Sequence, residues 1–337
     1  MAEWSFAINM TNNISFNKLG IFDLEINRVA IDNLFGTGID IYWYAIIITS
    51  GMLLAIAFCM WQAKHFGFKS DDIIDVALWG VPFALIGARL YFVLFMLDHF
   101  ETLWEMINFR NGGLAIYGGI IAAFIVGLVF CKVKKKNALA LFDLASFGFF
   151  IGQTIGRWGN FVNAEAYGSV TDLPWGMSIN GAEAVHPTFI YESLWNFIGF
   201  LVAFFVVKRL KKEYGEIFCF YMGWYGLGRA FIEGLRQDSL KVLGVFRISQ
   251  ILGLVFFIGA IVLFILIRKG VIRKITEKIV QKQIDKQNSY TNVFEGSESE
   301  EAPITVNESD LFMASLEAHR GRNHEEDEEK SEEDTNN

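Results

Sequence analysis

The sequence predicts an all-α integral membrane protein of about seven transmembrane helices, N-terminus outside and C-terminus cytoplasmic. Three observations carry that prediction. The 337-residue chain is 53% hydrophobic, with 33 Phe and 9 Trp, more apolar than soluble domains of this length. Its apolar residues fall in blocks, of which Ile41 to Ala63, Asn111 to Cys131 and Ile248 to Ile267 hold no charged residue. Each has the roughly 20 residues that a helix needs to cross a bilayer. Basic residues gather between alternate blocks, as they do in short cytoplasmic loops.

Taken in order, residues 1–40 read as an external N-terminal segment. They hold no Lys or Arg before Lys18 and no compact apolar run after it, so a cleavable signal peptide is not expected. Ile41 to Ala63 is the first span. Val76 to Leu97 is the second, interrupted only by Arg89, and Asn111 to Cys131 is the third. Asn137 to Gly156, interrupted by Asp143, is the fourth; Thr188 to Val207, with Glu192 near its start, is the fifth. Ile217 to Ile232, with Arg229 near its end, is the sixth, and Ile248 to Ile267 the seventh. Charges inside spans are costly and point to a function or an aqueous cavity.

Orientation follows from the loops. Lys132, Lys134, Lys135 and Lys136, then Lys208, Arg209, Lys211 and Lys212, then Arg268, Lys269, Arg273 and Lys274 each follow an odd-numbered span. Lys64 and Lys69 agree, although Asp71 and Asp72 dilute them. Tyr44, Tyr117, Arg157, Arg229 and Glu233 then all fall at the outer-leaflet ends of their spans.

The net charge of −8 conceals two parts. From Glu295 onward there are 15 acidic and 3 basic residues, so residues 1–294 are mildly basic. Residues 41–274 therefore read as a seven-helix catalytic domain and 275–337 as an acidic, disordered cytoplasmic tail. Cys59, Cys131 and Cys219 lie in or beside apolar segments with no pairing pattern, so no disulfide framework is expected. No His/Cys/carboxylate cluster has metal-ligand spacing. Neither metal nor cofactor is expected, and no nucleic-acid partner.

The densest polar stretch is GRWGNFVNAEAYG, residues 156–168, which sets Arg157, Asn160, Asn163 and Glu165 just after a span. Arg157 can grip a phosphate through its planar fork; the bland reading is a polar external loop with an interfacial Trp158. GLGRAFIEGLRQDS, residues 226–239, puts Arg229 and Glu233 four apart, on one helical face. They are either a structural ion pair or part of a phosphate site. RNGGLAIYGG, residues 110–119, places Tyr117 among small residues where an interfacial anchor is the common role. His186, in HPTFIYE, reads as an orienting hydrogen-bond partner rather than a ligand.

In order and spacing these four blocks resemble those of the prolipoprotein diacylglyceryl transferases, over about Ile39 to Lys269. The resemblance implies transfer of diacylglyceryl from phosphatidylglycerol to the lipobox cysteine thiol of a preprolipoprotein, forming a thioether and releasing glycerol phosphate. It implies that the partners are phosphatidylglycerol, preprolipoprotein signal peptides with a lipobox cysteine, and membrane lipids. The place implied is the bacterial plasma membrane, with the active site at the outer leaflet. By matching positions, the important residues are Tyr44 in IYWYA, Arg157, Asn160, Glu165, Gly168, Arg229 and Glu233. Many family members have His where this chain has Tyr117, which weakens any mechanism that needs an imidazole there.

Such a reaction displaces a phosphate from saturated carbon, so the departing charge must be stabilised, a task for Arg157 and Arg229 with Asn160. Asn160, Gly168, Arg157 and Arg229 are thus candidate head-group ligands. Tyr117, Glu165, Glu233 and Tyr44 are candidates for the catalytic steps, Tyr117, Glu165 or Glu233 as proton acceptor. A secondary transporter of an anionic solute is the alternative, but its polar residues belong near the midplane. A receptor or scaffold would explain the tail but not the polar blocks.

Overall fold

A computed structural model of the chain describes residues 11–38, 40–100, 102–108, 112–236, 241–242, 246–275 and 278. The chain divides into two compact units, residues 1–265 and 266–337. Nine α-helices are assigned among the described residues: α1 (Trp43–Gln62), α2 (Ser70–Phe95), α3 (Leu103–Ile107), α4 (Ile116–Val133), α5 (Ala138–Asn163), α6 (Thr188–Val202), α7 (Lys208–Leu210), α8 (Glu216–Ile232) and α9 (Ile248–Arg268). A helical segment of wider pitch, Ala203–Val207, joins α6 to α7.

Among the described residues, six stretches are long and apolar enough to cross a membrane: Trp43–Phe66, Ser70–Phe95, Ile116–Val133, Ala138–Asn163, Thr188–Leu210 and Ser249–Arg268. The sixth expected span, Ile217 to Ile232, is not among them: it corresponds to α8, whose 17 residues rise about 26 Å at 1.5 Å per residue. Large apolar side chains are exposed all along these helices, as on Leu53, Leu54, Trp79, Ile86, Ile120, Ile121, Val255 and Ile258. That pattern suits helices whose outer faces meet lipid. Helix α5 is central and packs on α1, α4, α6 and α8, while α2 packs on α4. The α2–α4 crossing depends on small residues: a Cβ on Gly118 would lie 2.1 Å from the Gly87 carbonyl oxygen. This close backbone approach is common between membrane helices.

Two of the four charges within predicted spans have structural work. Arg89, buried, donates to the carbonyls of Glu105, Met106, Asn108, Gly112 and Gly113, at 2.6 to 2.9 Å, and so organises the chain before α4. Asp143, fully buried, accepts the backbone N–H groups of Gly215 and Phe218, each at 2.9 Å, and lies 3.8 Å from Lys211. It therefore satisfies the orphan donors at the start of α8, where helix N-termini need acceptors. Burial pushes the Lys211 amine below the ordinary lysine range, and Asp143 opposes that shift. Cys59, Cys131 and Cys219 are free and buried.

At the same end, Lys136 donates to the Gly67 carbonyl (2.8 Å), Lys134 to Asp75 (3.1 Å) and Lys208 to Gln62 (2.5 Å). The basic clusters after α4 and α6 thus meet the loop after α1 at one end of the bundle. Arg157 lies 19 residues along α5 from Ala138, about 28 Å away.

Strands add to the expected helices. Strand β1 (Thr11–Phe16) pairs antiparallel with β2 (Ile21–Asn27) through a turn at Gly20, and β5 (Ser178–Ile179) pairs with the other edge of β1. Ile14 stands opposite Ile179. Ile14 and Phe16 pack with Met177, Val185 and Phe189 into a small separate core. Residues that the sequence marks only as an external segment therefore clamp the long connection after α5. Strands β3 (Val29–Ile31) and β4 (Ile41–Tyr42) form a hairpin leading into α1, and β6 (Lys241–Val242) and β7 (Phe246–Arg247) one leading into α9. The acidic tail expected from residue 275 onward lies almost wholly outside the described residues.

Candidate functional site

The site is built where α5, α6 and α8 end or begin, at the end of the bundle away from the lysines. Helix α5 stops because Ala164 turns to φ +50°, followed by Ala166 at +58°. These are left-handed conformations that cost non-glycine residues energy and recur at functional loops. The reversal returns Glu165 to its own helix: its N–H meets the Asn160 carbonyl at 3.0 Å, while Oε1 accepts from Asn160 (3.0 Å) and Asn163 (3.2 Å). Asn160 in turn accepts from Arg157 Nη1 at 3.3 Å. The polar stretch singled out in the sequence is therefore one network.

Its other end is Glu192, on the second turn of α6. Arg157 Nη2 forms a short ion pair with Glu192, Arg229 approaches it to 3.9 Å and Arg236 to 3.9 Å. Glu192 is 7% exposed, so its charge is tolerable only because cations surround it. Arg229 also pairs with Glu233 at 2.9 Å and donates through Nε to the Tyr225 hydroxyl at 3.0 Å. The i, i+4 ion pair read from the sequence is present, and it is one edge of a larger cluster. Glu233 is buried as well, and its carbonyl accepts from Arg247 at 2.6 Å.

Gly168 takes part through its backbone. Its N–H donates to the His186 carbonyl at 2.9 Å, it pairs with Arg236 as an isolated β-bridge, and a Cβ there would lie 2.6 Å from that of His186. Only glycine lets the connection after α5 lie against Arg236. His186 Nδ1 and the Trp175 indole both meet the Tyr191 hydroxyl, at 3.2 and 2.7 Å, so His186 is an orienting group.

Tyr44 rests on Gly159, where a Cβ would come 2.7 Å from its ring, and lies within electrostatic reach of Arg157 and Glu165. Tyr117 is half-exposed on α4, within similar reach of Tyr225, Arg229 and Glu233. The structure thus gathers Arg157, Asn160, Glu165 and Tyr44 on one side and Arg229, Glu233 and Tyr117 on the other. Glu192 and Arg236 join the two sides. Sequence reasoning noted Glu192 only as a span interruption and passed over Arg236, although an acid inside a span announces cationic neighbours. No cluster of three metal-ligating side chains occurs among the described residues.

Apolar helices long enough to cross a membrane, with arginines at the edge of the bundle engaged by buried carboxylates, mark an integral membrane protein. The sequence model of the prolipoprotein diacylglyceryl transferases matches residues 32–266. The chain belongs to that family. Among its relatives, the phosphatidylglycerol–prolipoprotein diacylglyceryl transferase of Finegoldia magna is 46% identical over 237 residues, 70% of this chain and 95% of the relative. The protein so named in Clostridioides difficile is 41% identical over 254 residues, covering 75% of this chain and all of that one. That of Enterococcus faecalis is 43% identical over 274 residues, 77% and 97% of the two chains.

Proposed function

We propose that the chain transfers the diacylglyceryl group of phosphatidylglycerol to a prolipoprotein, accepting it on the lipobox cysteine thiol. Family membership and the relatives' names support the reaction, and give the transporter alternative no support. The observation that carries the local assignment is the convergence of Arg157, Arg229 and Arg236 on the single carboxylate of Glu192.

Three guanidinium groups held this close repel one another, and an anionic phosphodiester adds a further counter-charge beside Glu192 and Glu233. Its charge grows when the ester bond breaks, so the cluster favours the transition state. Arg157 and Arg229 hold the phosphate, with Asn160 keeping Arg157 oriented. The cysteine sulfur attacks the glyceryl carbon, the S–C bond forms, the C–O bond to phosphate breaks, and glycerol phosphate leaves with the electron pair. The thiol proton passes to Glu165 or Glu233; Tyr117, a neutral phenol, lies within reach as a hydrogen-bond donor. Tyr44 flanks the phosphate beside Arg157, and Gly168 seats the connection that carries Arg236.

The bilayer arrangement belongs to the same proposal: seven spans counting α8, N-terminus outside, the lysine-rich end cytoplasmic and the site at the outer leaflet of the plasma membrane. Residues 41–274 are the catalytic domain and 275–337 a cytoplasmic tail. Purified protein incubated with labelled phosphatidylglycerol and a lipobox peptide tests the reaction. With the label in the glycerol backbone of the diacylglyceryl group, it should appear on the peptide in a base-stable thioether and fail to appear when the cysteine is Ser; label on neither peptide rejects the assignment.

A further inference from the structure

Below Arg229 lies a small cavity between α6 and α8, lined by Glu192, Trp195, Asn196, Tyr225, Arg229 and Ile232 among others. Asn196 is 5% exposed. Its Nδ2 donates to the Glu192 carbonyl at 2.9 Å, one turn back on α6, whereas its Oδ1 is buried with no donor among the described residues. An acceptor buried without a donor is costly and seldom left so.

The two indoles beside it are already engaged. The Trp195 indole donates to the Trp224 carbonyl at 2.9 Å and the Trp224 indole to the Trp195 carbonyl at 2.8 Å, with the two rings stacked 4.5 Å apart. This reciprocal clasp occupies both indole donors and fixes α6 against α8. A small hydroxyl group entering the cavity can supply the missing donor. The cavity takes a group the size of one water or one hydroxyl.

We propose that Asn196 Oδ1 accepts a hydrogen bond from a free hydroxyl on the head-group alcohol of the lipid whose phosphate Arg229 holds. The assignment rests on the reaction proposed above and names what selects the lipid: an alcohol with a hydroxyl to donate, esterified to the phosphate. Charge alone would accept any anionic phospholipid.

The test compares phosphatidylglycerol with phosphatidylpropanol of the same acyl chains, which keeps the phosphate and the three-carbon head group but has no hydroxyl. The enzyme should prefer phosphatidylglycerol by about tenfold or more in kcat/KM, chiefly through KM. In Asn196→Leu the preference should fall to about twofold or less because phosphatidylglycerol is used worse while phosphatidylpropanol is unchanged. Asn196→Ala provides the same comparison where the leucine variant does not fold. Equal use of both lipids by the unaltered enzyme means the cavity takes only a water, and overturns the proposal. Equal losses on both lipids in the variants overturn it too, since Asn196 is then only structural. Inactivity of the unaltered enzyme with both lipids instead rejects the underlying reaction, and the assignment with it.

Discussion

Glu192 is the residue on which the cluster depends, because it stands between three guanidinium groups that would otherwise repel. Glu192→Gln keeps the shape and removes the charge. It should lower transfer per folded molecule by about tenfold or more and reduce the thermal midpoint, since removing one member of a buried ion cluster costs up to about 3–5 kcal/mol. Transfer and melting of the detergent-purified variant check this; full activity at an unchanged midpoint would count against the convergence as the working feature. Arg229 separates binding from scaffolding. Arg229→Lys keeps a charge but loses the planar fork, so a phosphate ligand should lose most of its activity at normal expression. If Arg229 only pairs with the buried Glu233, the lysine keeps that counter-charge, so turnover per folded molecule should stay near normal and any loss should fall on stability. The sequence made Arg157, Asn160, Glu165 and the Arg229–Glu233 face legible because each group lies within nine residues, inside the reach of motif and period. It could not show that Glu192, from a third segment, joins them: which charges meet across helices is a matter of packing, not spacing.

At the scale of elements, α8 shows how a charge in a span can be architecture. Its first turn is held by Asp143 from the middle of the bundle, with Lys211 as counter-charge. Asp143→Ala would leave the Gly215 and Phe218 N–H groups and the Lys211 amine without their buried acceptor, and should cost about 3–5 kcal/mol. Asp143→Asn, which can still accept one of the two N–H groups, should cost less. Melting of both variants in detergent checks the order, and an alanine variant as stable as the parent would remove Asp143 from this role. The helices themselves were legible because an apolar block of 20 residues has few other readings. Asn137, read as the start of the fourth span, caps α5 by accepting from Leu139 and Ala140 at 2.9 and 3.2 Å. The sheet was not legible: β5 has two residues and its partner β1 lies more than 160 positions earlier, so neither alternation nor turn residues announce the pairing.

Over the whole molecule, the polar site and the lysine-rich loops lie at opposite ends of the bundle, and short basic loops stay cytoplasmic. A tag at Asn337 should therefore be reached only after cells are opened, while a cysteine placed at Asn108 should react with an impermeant label on intact cells. Protection of position 108 together with exposure of Asn337 would reverse the proposed orientation. In the orientation proposed above, the acidic tail is separated from the arginine cluster by a hydrocarbon layer about 30 Å thick, against a screening length near 8 Å at physiological salt, so charges beyond Gln281 should not act on the cluster through the electrostatic field. Ending the chain after Gln281 removes the acidic run 325–334 and keeps every residue assigned to the site. The truncated protein should insert and transfer diacylglyceryl within about twofold of the full chain, with the same salt dependence. Measured transfer per inserted molecule checks this directly. A truncated protein that inserts normally and transfers nothing would mean that the tail acts on the site by contact, and would place it on the same side of the membrane as Glu192.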